Sequence, residues 1–323
     1  MKQRFSVIMP LFNKAPYVKK ALESICAQTY KDFELVIVND GSTDDSLNVV
    51  NDFVREMYGV QCKVYSQANA GVAVARNNGV AKSKGEYVCF LDADDWWEPT
   101  FIEEMDRLIN EYSDAGLYAT NYVYYKQGKT HVALNLDRGY MNYPEAYIHS
   151  TAMPICSTAT CLNRAVFCEM GGFPKGIKLG EDFLLWAKTA LHYRVAFCEK
   201  PLAYYNNDVP ASLRATRNLY APEYNMLFNM QNIEEEVRGK SEEIRVAWKA
   251  LLDKLRVNGL MDYWLDERYH DAASEELKKV DWNKQSKKVK AQYEKPMWVI
   301  KTKRRLMEIG SYYKQKLIKM CNI

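Results

Sequence analysis

The chain has 323 residues, 48% hydrophobic and 26% charged, an ordinary soluble composition long enough for a full domain with an appendage. That excludes a mainly disordered chain, a collagen-like chain and a small disulfide scaffold. Forty-four Lys and Arg against 41 Asp and Glu leave +3, too small a balance to imply nucleic-acid binding.

The first hundred residues alternate strand and helix signals. Phe5–Met9 is a short apolar run ended by Pro10, and Ala15–Gln28 places Val18, Ala21, Leu22 and Ile25 on one helical face. Glu34–Asn39 reads as a buried strand that enters Asp40-Gly41-Ser42. Ser42-Thr43-Asp44-Asp45 then reads as a helix start, with a hydroxyl cap and acids in the first turn. Gln61–Tyr65 is a further strand, Gly71–Ala81 a small-residue helix, and Glu86–Leu91 a strand running into Asp92. This alternation implies a parallel sheet with right-handed crossovers, whose ligands bind beyond the strands' carboxyl ends. Asp40 and Asp92 both fall there, so they are expected to line one crevice. Beyond residue 113 the pattern predicts strands at Leu117–Tyr125 and Thr130–Leu136. A helix follows at Glu181–His192, then strands at Arg194–Cys198 and Leu202–Tyr205. From Tyr220 onward the reading is mainly helical.

Eight cysteines occur without a C-x-x-C pair, and Cys26, Cys89 and Cys198 sit in apolar runs, so they read as reduced thiols of a cytosolic protein. The N-terminal apolar run is too short for a signal peptide, and no stretch approaches the roughly 20 apolar residues of a membrane span. Lys284–Ile323 holds twelve Lys and Arg against two Glu, a net +10 on a body of −7. With Trp298, Ile300 and Leu306 among its apolar residues, this tail reads as a basic amphipathic segment. It either lies on an anionic membrane surface or packs on protein.

Four stretches carry candidate chemistry. Phe90-Leu91-Asp92-Ala93-Asp94-Asp95 packs three carboxylates at a strand end, a costly repulsion that a hard cation such as Mg²⁺ or Mn²⁺ relieves. The alternatives are a solvated acidic turn or an EF-hand. The latter fails because Trp97 occupies the obligatory glycine position. Val38-Asn39-Asp40-Gly41-Ser42 offers a carboxylate for a nucleobase or ribose, or is a plain turn. In Asn69–Asn77 a small-residue helix start presents Arg76 toward phosphate or toward the acidic cluster. Glu181-Asp182 opens a helix. It reads as dipole-favoured acids or as a general base, which a helix N-terminus would tend to keep ionised.

Together with Ser6–Asn13, these stretches resemble, in order and spacing, the family 2 glycosyltransferases of the GT-A fold, over about residues 4–210. The resemblance implies an α/β architecture, a mostly parallel sheet flanked by helices, with a helical C-terminal extension. It implies a catalytic domain over residues 1–215, with a nucleotide-sugar half (1–112) and an acceptor half (113–215). A helical extension (216–283) and the basic tail (284–323) follow. It assigns Pro10, Leu11, Phe12, Asn13, Asp40, Gly41, Arg76, Asp92, Ala93 and Asp94 to the nucleotide. The metal, Mn²⁺ or Mg²⁺, goes to Asp94 or Asp95. Asp182 is the base with Glu181 as companion, and Arg214 is a candidate diphosphate ligand, without the His that often accompanies that late segment. The implied activity is inverting transfer of one sugar from a nucleotide-diphosphate sugar to a glycan or lipid-linked acceptor, with no nucleic-acid partner. The Q-x-x-R-W motif of processive synthases is missing. Loss of the base or metal carboxylates would instead mark a non-catalytic binding relative, and both are present. A sugar nucleotidyltransferase would carry a Gly-rich basic loop where Leu11-Phe12-Asn13-Lys14-Ala15-Pro16 stands.

Overall fold

The computed structural model describes residues 3–57, 59–210, 214 and 218–302. They divide between two compact units, Met1–Leu251 and Leu252–Ile323. In chain order the first unit runs β1 (Phe5–Leu11), α1 (Val18–Cys26), β2 (Phe33–Asp40), α2 (Ser46–Glu56), β3 (Gln61–Gln67), α3 (Val72–Lys82), β4 (Tyr87–Phe90) and β5 (Trp96–Trp97). It continues through α4 (Phe101–Glu111), β6 (Ala115–Lys126), β7 (Lys129–Val132), β8 (Gly139–Met141), α5 (Tyr143–His149), β9 (Thr160–Asn163), α6 (Arg164–Glu169), α7 (Glu181–His192), β10 (Arg194–Asn206) and α8 (Gln231–Arg238).

Ten strands form one sheet in the order β3-β2-β1-β4-β9-β6-β10-β5, with β7 on β6 and β8 on β10. The β3-β2-β1-β4 half is parallel throughout, as the strand–helix alternation requires. All eight residues of β2 are buried, as befits a strand covered on both faces. The second half is mixed: β9 is antiparallel to both β4 and β6, while β6 and β10 are parallel.

Three local expectations change. The first strand continues through Pro10 to Leu11. Its ladder to β4 ends at Ile8, whose carbonyl accepts from Leu91 N. By the two-residue alternation Pro10 faces the same side, beyond that ladder, where a missing N–H costs nothing. The Ser42-Thr43-Asp44-Asp45 stretch does not cap α2 in the expected way. Asp45 is the N-cap and makes no side-chain cap bond, while Ser42 Oγ accepts from Asn13 N at 3.2 Å. The two strands expected near 194–198 and 202–205 are one strand, β10, which absorbs register shifts on either side of Pro201.

α9 (Glu242–Gly259) crosses the division between the units. The second unit continues with α10 (Met261–Leu265), α11 (His270–Lys278) and α12 (Lys287–Tyr293). Its core includes Leu260, Tyr263, Ala273 and Leu277, and Arg256, 1% exposed, pairs there with Glu276 at 3.0 Å. Trp264 and Trp282 meet the Tyr293 ring edge-on at 5.6 and 5.4 Å. Among the described residues no helix is long and apolar enough to cross a membrane. Trp298 is 70% exposed, and the tail beyond residue 302, Leu306 included, lies outside the described residues.

Candidate active site

The loops after β1, β2 and β4 meet at the carboxyl edge of the parallel half. Phe12 is exposed and Leu11 buried, and Asn13 adopts a left-handed backbone (φ 52°). From there its Oδ1 accepts from Thr43 N at 2.8 Å and Asp44 N at 3.3 Å. The Asp-Gly-Ser-Thr turn is therefore clamped from the β1 loop. Asp40, 3% exposed, has both oxygens engaged: Oδ1 accepts from Gln67 Nε2 and Ala70 N, each at 2.8 Å, and Oδ2 from Gly71 N at 2.9 Å. It thereby pins the entry to α3. Gly41 (φ 70°) lies so close to Asn69 that a Cβ would sit 2.9 Å from its amide nitrogen.

The centre of the site is Arg76, projecting from α3 and only 3% exposed. Its guanidinium donates to Asp92 Oδ1 at 2.7 Å and Glu181 Oε1 at 2.9 Å, while its buried Nε lacks a hydrogen-bond partner and its plane lies 5.1 Å from the Phe173 ring. Burial works against its charge, but Asp92, Glu181 and Asp182 outweigh burial and raise its pKa above the ordinary arginine value. One side chain thus joins the strand-end cluster to the start of α7, 105 residues away.

The three clustered carboxylates have different surroundings. Asp92, half-buried, is the one paired with Arg76, and its amide donates to Thr158 Oγ1 at 3.3 Å. Ala93 is buried between it and Asp94. Asp94 Oδ2 accepts from Lys14 Nζ at 2.6 Å. Asp95, 3% exposed, accepts from the Thr158 hydroxyl at 2.6 Å and Asn206 N at 2.8 Å. Burial, with repulsion from neighbouring carboxylates, raises both Asp94 and Asp95 above the usual carboxylate range.

α7 begins at Gly180, whose φ of 83° is left-handed and whose Cβ, if present, would lie 2.3 Å from Met226 Sδ. The first turn then carries the acidic pair. Asp182 accepts from Ser157 Oγ at 3.1 Å and Phe183 N at 2.8 Å. The tyrosines of α5 pack beneath it, with Tyr147 meeting Phe183 edge-on at 5.4 Å. Burial raises the Asp182 pKa above the usual aspartate range, against the opposing pull of Arg76 and of the bonds from Phe183 N and Ser157 Oγ. Burial and the neighbouring Asp182 push Glu181 up to about 7.

Arg76, Asp92, Glu181 and Asp182 are therefore gathered at one place, and Asp94 and Asp95 adjoin through the chain and Thr158. Arg214 is not gathered with them. Its guanidinium donates to Val209 O, Asn207 Oδ1 and Asn207 O, on its own loop. Sequence reasoning missed Lys14, Ser157, Thr158 and Asn206. Ser157 and Thr158 sit on a short 3₁₀ turn, Ser157–Ala159, and nothing local distinguishes them from any polar turn.

Asp92 and Asp94 are 27% and 18% exposed and offer hard oxygens. Among the described residues no group of three or more His, Cys, Asp or Glu is arranged to hold a metal. Two partly exposed carboxylates with hard oxygens are the donor type that Mg²⁺ or Mn²⁺ takes when phosphate and water complete its shell.

A family model described as "Glycosyl transferase family 2" matches residues 6–170. Glycosyltransferase GlyA of Streptococcus pneumoniae is 38% identical over 126 residues, 39% of this chain and 18% of that protein. The uncharacterized glycosyltransferase YibD of Escherichia coli is 35% identical over 136 residues, 42% of this chain and 39% of that protein. The chain thus spans well under half the length of these relatives. Among solved structures, S. aureus TarS 1–349 in complex with UDP-GlcNAc superposes with a TM-score of 0.70 at 21% identity, over 89% of this chain and 83% of that one. Mannosyltransferase PcManGT from Pyrobaculum calidifontis, in complex with GDP-Man and Mn²⁺, reaches 0.51 at 19% identity, over 88% and 89%. At such identities the likeness is one of fold.

Proposed function

This chain belongs to glycosyl transferase family 2, and we propose that it moves a single sugar, with inversion, from a UDP-hexose or UDP-N-acetylhexosamine to a hydroxyl of a glycan or lipid-linked acceptor in surface-polysaccharide synthesis. The observation that carries the reading is the Arg76 bridge, which ties the acidic strand end to the Glu181-Asp182 helix start. A donor-binding edge and a candidate base then share one site.

In this reading Pro10–Asn13, Asp40, Gly41, Arg76, Asp92 and Ala93 receive the nucleotide within residues 1–112, and residues 113–215 receive the acceptor. Residues 216–283 are the helical extension. Asp94 is the metal ligand, because both oxygens of Asp95 already accept from Thr158 and Asn206. When bound, the divalent cation neutralises charge on the departing diphosphate. Asp182 takes the proton of the acceptor hydroxyl as that oxygen bonds to the anomeric carbon. The bond from this carbon to the donor phosphate oxygen breaks, and its electron pair leaves with the nucleoside diphosphate. Ser157 Oγ and Phe183 N orient the Asp182 carboxylate. Burial strengthens it as a base, and the Arg76 charge opposes its protonation. One displacement inverts the centre, and no carboxylate nucleophile is required. Glu181 anchors Arg76. Arg214 reaches a diphosphate only by leaving its loop partners. The basic tail holds the enzyme on the cytoplasmic face of the membrane.

The test is a nucleotide-release screen of UDP-, GDP- and dTDP-sugars with Mn²⁺ and Mg²⁺. Release from a UDP-sugar, abolished by chelation, is expected. Release that persists in excess chelator, or none with any donor, would overturn the reading.

A further inference from the structure

Lys14 lies three residues past the end of β1, in a stretch whose backbone is held from outside. Lys14 N donates to Ser46 Oγ at 2.7 Å, Ala15 N to Asp44 Oδ2 at 3.1 Å, and Asn13 is clamped to Thr43 and Asp44. This anchoring delivers the Lys14 ammonium to Asp94 Oδ2 at 2.6 Å, with the two side chains only 15% and 18% exposed. Each carboxylate of the cluster then has a partner inside the chain: Asp92 has Arg76, Asp95 has Thr158 and Asn206, and Asp94 has Lys14.

These partners differ in how readily they can leave. Arg76 is pinned between two carboxylates in a fixed fork, and the Asp95 bonds are to a backbone amide and a buried hydroxyl. Lys14 is a point charge on a flexible four-carbon stem, with rotatable donors. Asp94 Oδ2 accepts from that mobile ammonium, whereas Asp95 Oδ1 accepts from the Asn206 amide. A divalent cation arriving at Asp94 therefore meets a positive charge already in place, and both cannot sit on one carboxylate without repulsion.

We propose that Lys14 is a placeholder cation. It neutralises Asp94 in the metal-free protein and yields that carboxylate when the metal binds. Its ammonium then moves to a phosphate oxygen of the donor, so that metal and nucleotide bind synergistically. The second half rests on the nucleotide-sugar reading above, and the first does not. Because binding linkage is reciprocal, the metal must tighten nucleotide binding by the same factor as the nucleotide tightens the metal.

The experiment measures Mn²⁺ binding by calorimetry and electron paramagnetic resonance, with and without UDP, in the full chain and in Lys14→Met. Without nucleotide, Lys14→Met is expected to bind Mn²⁺ about tenfold more tightly, within the usual range of coupling between neighbouring sites. UDP should tighten Mn²⁺ binding strongly in the parent and about tenfold less in the variant. Lys14→Arg, which keeps the charge, should bind Mn²⁺ like the parent. Asp94→Asn should abolish Mn²⁺ binding in both backgrounds, and circular dichroism checks that each variant is folded. Unchanged or weaker Mn²⁺ binding in Lys14→Met would overturn the placeholder role, as would no Mn²⁺ binding by any form. If UDP binds neither protein, the donor reading fails, while the nucleotide-free comparison still decides whether Lys14 competes with the metal.

Discussion

Replacing Arg76 by Met removes the one charge that the buried Glu181 and the half-buried Asp92 share. The guanidinium is 3% exposed and lies 2.7 Å from Asp92 and 2.9 Å from Glu181. Deleting one partner of a buried ion pair costs about 3–5 kcal/mol, because the remaining charge is left uncompensated. For a domain of this size each kcal/mol moves Tm by roughly 2–4 °C, so a fall of about 6–20 °C is expected at pH 8. The loss should also depend on pH. Burial and Asp182 already hold Glu181 at about 7 in the folded chain, with Arg76 as the opposing influence. Between the usual carboxylate pKa and that value the folded state binds more protons than the unfolded one, so stability falls as pH rises through the window and levels off above it. Removing Arg76 pushes the folded value higher and lengthens the decline. The deficit of Arg76→Met relative to the parent should therefore be smallest near pH 5 and grow toward pH 8. Arg76→Lys, which keeps the charge but reaches only one carboxylate, should fall between them. Thermal melts of the three proteins at pH 5, 6.5 and 8 decide the matter. A variant that melts with the parent at pH 8, or that loses the same amount at all three pH values, would refute the bridge.

Four further outcomes are expected. Asp182→Asn should lower turnover by about 10²-fold or more with nucleotide binding unchanged, and the parent's acid limb should lie above the ordinary aspartate range because burial raises Asp182; a loss of nucleotide binding instead would make it a binding residue. Asp94→Asn should remove metal-dependent nucleotide binding and, by deleting the charge that Lys14 pairs with, lower stability, whereas Asp95→Asn should destabilise by about 1–3 kcal/mol through the Thr158 and Asn206 partners it leaves behind while metal-dependent nucleotide binding persists; urea unfolding and nucleotide titration separate the two. Gly180→Ala should lower Tm, since it places a Cβ at positive φ and against Met226, and Met226→Ala should restore part of the loss in the double variant; an unchanged melt would contradict that packing. Finally, the full chain should sediment with anionic liposomes, less so at high salt, and a chain truncated after residue 283 should not; equal behaviour of the two would assign the tail to protein contacts.

Local chemistry was enough to read the strand–helix alternation of the first hundred residues, since each buried parallel strand is a continuous apolar run punctuated by a turn. It also placed Asp40 and Asp92 at the carboxyl ends of β2 and just beyond β4, and located α7 from its acidic first turn and apolar body. The order of the five motifs identified the family. Tertiary structure alone decided how the three clustered carboxylates divide their work. Asp95 is occupied by residues 63 and 111 positions away, while Asp94 meets Lys14 across 80 positions. It alone inserted β9 antiparallel between β4 and β6, which carries Ser157 and Thr158 up to the acidic strand end. It alone set the burial that raises the Asp182 pKa, because a helix N-terminus is a property of neighbouring residues whereas desolvation depends on everything packed around them. The period and composition of a segment report what its own backbone prefers. The identity of a side chain's distant partner leaves no trace in either, because it is set by which elements the sheet brings side by side.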